Sequence, residues 1–251
     1  MINLDHVSFA TTNALETASL LRERYGATAV FGETLPEFRY LLLFLGTPEH
    51  GGFLELLDAQ NPGFMTKFLG KHGPGPHHIT FIVDDLKASV AQSRELGFTV
   101  TGENYEHESW REAFIAPHPA TGCVIQLAQT QHHYPPPSEL LASNERDVDS
   151  YPSSQGALDN TWWLPIWETE PGPRIQWLSI ATSSSDPATL TALYQTVLGA
   201  DVTHNDDVTT CTWPAGSITV TQAKRSGIDG VSIRQTSETS PSLLHPTNLS
   251  R

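Results

Sequence analysis

Cysteine is scarce in this chain. Cys123 and Cys211 are the only two in 251 residues, too few to staple a fold, so stability has to come from a packed core. Cationic side chains are scarce as well. Fourteen Lys and Arg face 28 Asp and Glu, a formal net charge of −14. A nucleic-acid binder needs basic patches to neutralise phosphates, and attraction to an anionic membrane surface needs a polybasic run; the sequence has neither. No apolar stretch approaches the ~20 residues that span a bilayer. From Met1 to Thr11 there is no basic segment leading to a cleavage site. The reading is therefore a cytoplasmic protein that acts on a small molecule, with no nucleic-acid and no membrane partner. The length suits one to two domains.

What is present is a repeat. Leu4-Asp5-His6-Val7-Ser8-Phe9 alternates as a strand and leads into a helix predicted from Ala14 to Tyr25, stopped by Gly26. The same order returns at His77-His78-Ile79-Thr80-Phe81-Ile82, with a helix from Asp85 to Leu96 and Gly97 after it. A third copy opens at Ile175, with its helix from Asp186 to Leu198 before Gly199, and a fourth begins at Ile228 and fades into polar sequence. Glycine after each helix fits its use at helix C-termini. Short strand-like segments follow the first two helices: Ala29–Phe31, Phe38–Leu45 and Gly52–Leu57, then Thr99–Thr101, Glu112–Ile115 and Cys123–Leu127. Each unit thus reads strand, helix, three strands. Between the second and third units, Pro135-Pro136-Pro137 and Ser-, Asn- and Asp-rich text mark a connector that still carries Trp162, Trp163 and Trp167. A purely solvated linker rarely holds three tryptophans, so this part is expected to lie against a domain surface or to cover a pocket. The expected boundaries are 1–130, a metal-binding domain of two units; 131–173, the connector; 174–234, a degenerate module; and 235–251, a polar tail.

The duplication also aligns polar residues within apolar strands. His6 and His78 take the same place in the first strands of units one and two, and Glu55 and Gln126 take matching places in the last strands. Side chains alternate across a strand, so each points away from its apolar neighbours. Two imidazoles, a carboxylate and an amide oxygen at symmetric positions can converge on one divalent ion.

These residues carry a family resemblance. Gly75-Pro76-His77-His78-Ile79-Thr80-Phe81-Ile82-Val83-Asp84-Asp85, Phe114-Ile115-Ala116-Pro117 and Val124-Ile125-Gln126-Leu127 resemble the vicinal oxygen chelate superfamily, which includes glyoxalase I, methylmalonyl-CoA epimerase and the extradiol dioxygenases. The likeness is to the epimerase and glyoxalase branch, over residues 2–130 and more faintly over 174–234. It implies an α+β fold of paired βαβββ modules forming a half-barrel metal cleft, with a second, degenerate and truncated module pair. It implies one divalent metal ion (Zn, Ni, Co, Mn or Fe) on His6, Glu55, His78 and Gln126, with His77 on the other face. It also implies isomerase or lyase chemistry on a small substrate that is enolisable or carboxylated and chelates through oxygen. Glu37 is the expected base, with Glu55 as the alternative if it swings off the metal; Glu33 lies four residues before Glu37. Arg39, Tyr105, His107, Trp110 and Arg111 are the expected substrate contacts.

Gln126 departs from the family, which usually has glutamate there. An amide lends its oxygen to a metal but shuttles no proton near neutral pH. Two other functions therefore stay open. A non-catalytic small-molecule binding or resistance protein needs no second base, and an Fe(II)-dependent ring-cleaving dioxygenase needs two histidines and one carboxylate. In the third unit Trp177 replaces His6 and Gly230 replaces His78, so that part reads as scaffold. A homodimer is one way to complete its truncated partner.

Overall fold

The computed structural model describes residues 1–142, 148–149, 151, 153–154, 156–235 and 238–249, so parts of the expected connector and tail lie outside the described residues. The fold is α+β, with few helices on two open sheets. The first unit of the repeat comprises β1 (Asn3–Ala10), α1 (Ala14–Tyr25), β2 (Thr28–Thr34), β3 (Phe38–Gly46) and β4 (Gly51–Ala59), followed by α2 (Phe64–His72). The second comprises β5 (Gly75–Ile82), α3 (Leu86–Glu95), β6 (Val100–Asn104), β7 (Arg111–Ile115) and β8 (Val124–Gln129). A single turn, α4 (Pro137–Leu140), and a 3-10 turn (Leu164–Glu168) follow. Then come β9 (Ile175–Ser184), α5 (Pro187–Ala192), β10 (Asp201–Asn205), β11 (Val208–Trp213), β12 (Gly216–Gln222), β13 (Gly227–Gln235) and β14 (Ser242–Leu244). The strand orders are β2-β3-β4-β1-β5-β8-β7-β6 and β10-β11-β12-β9-β13-β14.

The helices start and stop for local reasons. Asn13 caps α1 by accepting the Glu16 N–H at 3.1 Å, and Gly26 ends it in the left-handed conformation (φ 65°) that favours glycine. Asp85 and Asp186 cap α3 and α5 in the same way. The helix expected from Asp186 to Leu198 is α-helical only to Ala192; Leu193–Val197 winds as a π-helical turn. Helix α2 was not anticipated, because Gly63 at its N-terminus offers no side-chain cap to announce it.

Contacts divide the chain into two compact units. One comprises Met1–Val7, Pro76–Gln131 and Ser179–Ser232, the other Ser8–Gly75, His132–Leu178 and Ile233–Arg251. In the first, α3 lies on β7 and β8 and buries Leu86 and Val90. The Phe81 ring stands 5.0 Å from Trp213, whose indole N–H donates to the Leu198 carbonyl at 2.6 Å. In the second, β3 is covered on both faces, which is why Tyr40-Leu41-Leu42-Leu43-Phe44-Leu45 is apolar without alternation. Leu41, Leu43 and Leu45 are fully buried, and α1 lies against β3 and β4. Leu42 and Phe44 join Val30, Phe31 and Leu140 in a separate cluster. Trp177 is buried in this unit. Its backbone N–H donates to the His50 carbonyl at 3.0 Å, and its ring covers Gly52 so closely that a Cβ there would sit 2.5 Å from it.

Candidate metal centre

Strand β1 presents His6 and Ser8 on one face, two residues apart. The His6 ring is fixed at both nitrogens. Nδ1 lies 2.6 Å from Asp5 Oδ2 and Nε2 lies 2.9 Å from Thr80 Oγ1. A carboxylate on Nδ1 holds the proton there and leaves the Nε2 lone pair outward, the tautomer that ligates metals. His78 stands close by, with ring centroids 5.8 Å apart. Its Nδ1 is 2.7 Å from Nδ1 of His77, so the two neighbours touch although they leave the strand on opposite sides. Glu55 on β4 accepts a hydrogen bond from the Ser8 hydroxyl at 2.6 Å. One ligating atom from each of His6, Glu55 and His78 falls within 4.8 Å of the others.

Gln126 sits in the same hydrogen-bonded run but has both ends engaged. Its Oε1 accepts from Thr80 Oγ1 at 2.7 Å and its Nε2 donates to Glu112 Oε2 at 2.7 Å. Glu112 also accepts from Trp110 Nε1 at 3.1 Å. The run Asp5, His6, Thr80, Gln126, Glu112, Trp110 contains a conflict. Thr80 has one hydroxyl proton facing two acceptors, His6 Nε2 and Gln126 Oε1. A divalent cation held by Nε2 would take the place of Thr80 at that lone pair, leaving the Thr80 hydroxyl to donate to the amide alone. The donor set of two imidazoles and a carboxylate suits Zn, Fe, Ni, Co or Mn, and this hydrogen-bond arrangement fits such an ion.

The other expected site residues fall in varied places. Glu37 is exposed, and its Oε2 accepts the Phe64 N–H at 3.0 Å, serving the first turn of α2. Glu33 is fully buried; its Oε2 accepts from Tyr40 and from the Ser154 N–H, both at 2.8 Å, and its Oε1 has no partner among the described residues. Burial, reinforced by the Glu33 charge, holds the Tyr40 phenol well above its usual range. Arg39 lies in a bidentate pair with Asp58, Nε and Nη2 donating at 2.9 and 2.6 Å, and stacks 4.3 Å from the Trp162 ring. Tyr105 donates to Glu103 at 2.6 Å, and desolvation followed by that bond pushes its phenol up to about 12. His107 Nδ1 and Arg111 Nε are buried without a partner among the described residues.

Sequence reading missed Asp5, Ser8, Thr80 and Glu112. Asp5 and Ser8 flank the histidine strand and were visible there. The contact between Glu112 and Gln126 joins β7 to β8, and no local pattern announces it.

Comparison with known families shows one likeness. Residues 5–114 match the model of the Glyoxalase/Bleomycin resistance protein/Dioxygenase superfamily. The match covers that segment, under half of the chain, and the likeness is of that segment. No curated protein matches the chain. Among solved structures, a protein of unassigned function from Staphylococcus aureus is 14% identical, with 96% of this chain and 94% of that one covered at a TM-score of 0.56. This extends the likeness in fold over nearly the whole chain. Methylmalonyl-CoA epimerase from Streptomyces coelicolor, in complex with 2-nitronate-propionyl-CoA, is 24% identical over 52% of this chain and 98% of that one, TM-score 0.45. The epimerase from Mycobacterium tuberculosis is 25% identical over 56% and 92%, TM-score 0.45. No helix of the glyoxalase-type domain or of the other described residues is long and apolar enough to cross a membrane.

Proposed function

We propose that the glyoxalase-type domain is a metal-dependent isomerase or lyase acting on a small substrate that chelates through two neighbouring oxygens. His6, Glu55 and His78 would hold one divalent ion, with the second lone pair of the Gln126 oxygen, whose first accepts from Thr80, as fourth donor. On this reading residues 1–130 carry the reaction, 131–173 connect, and 174–234 are scaffold. The observation that carries it is the convergence of the three ligating atoms within 4.8 Å, beside a histidine whose tautomer Asp5 fixes. A bound ion supplies Lewis acidity, lowering the cost of negative charge on a substrate oxygen.

The chain's own residues supply the rest. Gln126 cannot take a proton, so transfer falls to a nearby carboxylate. Glu112 is hydrogen-bonded to Gln126 itself, whereas Glu37, the base expected from sequence, is exposed and bonds the first turn of α2. Glu112 is assigned the transfer and Glu37 is the second candidate. Arg111 Nε, a donor, and His107 Nδ1, both without a partner among the described residues, are assigned to an anionic substrate group, beside Trp110.

Elemental analysis of His6→Ala and His78→Ala, purified beside the parent protein, tests the centre. Each is expected to lose most bound metal while keeping its circular dichroism, because one of three close ligands is gone. Full metal stoichiometry in both places the ion elsewhere. Zinc, nickel, cobalt or manganese without oxygen uptake supports the isomerase or lyase; iron with oxygen uptake supports a dioxygenase.

A further inference from the structure

The face of β2, β3 and β4 that carries Glu55 is an apolar floor. Directly paired residues of antiparallel strands share a face, so the register Phe31–Leu42, Glu33–Tyr40, Leu42–Glu55 and Tyr40–Leu57 puts all of these side chains on one side. Phe53, two residues before Glu55, joins them. Beside Leu57 and Tyr40 the floor is covered by α2, through Met65, Phe68 and Leu69. Beside Phe53, Phe31 and Leu42 it is covered by the connector. The Tyr134 ring lies 4.8 Å from Phe53, the Tyr151 ring lies 5.0 Å from Phe31, and Leu140 is buried in the same cluster.

Polar bonds fix this cover. Thr34 N–H donates to the Asp159 carbonyl at 2.6 Å, and Leu158 N–H returns to the Thr34 carbonyl at 2.8 Å. The fully buried Trp163 donates its indole N–H to the Gly32 carbonyl at 2.9 Å. Glu33 gathers Tyr40 and the backbone of Ser154 onto one oxygen. Such anchoring makes the connector a wall, with Glu55 flanked by covered floor on both sides along its strand.

We propose that Tyr134 and Tyr151 set substrate size in this protein: by filling the apolar face beside Glu55 they restrict the centre to short oxygen chelators and exclude a long apolar tail. This rests on the metal-site reading above. Hydroxamates test it, because they grip a metal through two neighbouring oxygens and can be lengthened at will. Titration calorimetry on the Zn-loaded protein should give octanohydroxamate an affinity no more than about threefold above that of acetohydroxamate. In Tyr134→Ala/Tyr151→Ala, octanohydroxamate should bind at least about tenfold more tightly than acetohydroxamate, since burying two methylenes already suffices for that factor. If the double variant does not fold, Tyr134→Ala alone carries the same comparison. A tenfold preference for octanohydroxamate in the parent protein overturns the proposal, and so does a folded, fully metallated variant with no gain. Absence of acetohydroxamate binding at full zinc stoichiometry overturns the metal-site reading itself, and with it this inference.

Discussion

Arg39 offers the sharpest trial, because sequence and structure give it different work. As a substrate clamp its guanidinium would be free to meet a carboxylate. In the structure that fork is spent on Asp58, whose side chain is 2% exposed against 24% for Arg39. Asp58 also accepts the N–H of Ala14 at 2.9 Å, a buried donor at the start of α1, and an amide hydrogen of Gln60 at 3.1 Å. Removing one partner of such a pair leaves a poorly solvated charge, which costs about 3–5 kcal/mol. Asp58→Ala also strands the Ala14 N–H, so the upper part of that range is expected. A chain of this size loses about 2–4 °C of melting temperature per kcal/mol, giving a fall of roughly 6–20 °C by scanning calorimetry. Arg39→Met keeps an unbranched chain against Trp162 and should cost nearly as much. Arg39→Met/Asp58→Leu should recover most of the loss, because apolar replacement of a whole buried pair is often close to neutral. A coupling of about 2 kcal/mol or more in this double-mutant cycle is expected. Acetohydroxamate binding should be unchanged in Arg39→Met. Unaltered stability together with lost binding of a carboxylated chelator would falsify the pairing argument and return Arg39 to the substrate.

Trp177→Ala should cost ~3–5 kcal/mol, since a buried indole leaves a cavity over Gly52, while metal content measured by elemental analysis stays at the parent value. Loss of metal from a folded Trp177→Ala protein refutes the scaffold role. Burial pushes the Cys123 thiol up to about 12 and the Cys211 thiol up to about 11, so at pH 8 their thiolate fractions are on the order of 10⁻⁴ and 10⁻³. A chromogenic disulfide reagent at pH 8 should release almost no signal from the native protein and two equivalents after denaturation. Their reactivity should rise with pH, because the thiol is the form favoured by burial; rapid native labelling at pH 8 contradicts it.

The sequence made the repeated unit legible for physical reasons. Asn13 and Gly26 bracket α1 within one residue of the expected bounds, and Asp85 sits just before α3. His6, His78 and Glu55 stood out because a duplicated strand repeats its exceptions as well as its rule. Where reading stopped, the cause was distance along the chain. The carboxylate of Glu37 meets the start of α2, a helix that begins at a glycine and so carried no side-chain signal. Arg39 meets Asp58 across two strands and Trp162 from the connector. The cover provided by Tyr134 and Tyr151 had an indirect trace, the unbroken apolar run of β3, which shows that both faces are covered but not by what.

The third unit still holds a serine where the first has Ser8. Ser179 Oγ lies 3.5 Å from Thr219 Oγ1, the counterpart of the 2.6 Å contact between Ser8 and Glu55. Two copies of one plan thus differ at this point: both carry the hydroxyl, and one carries the charge. A hydroxyl present in both copies belongs to the strand they share, whereas a carboxylate present in one belongs to what sets that copy apart. Within a single polypeptide the two copies serve as controls for each other, separating what the shared strand plan demands of a position from what one copy adds to it.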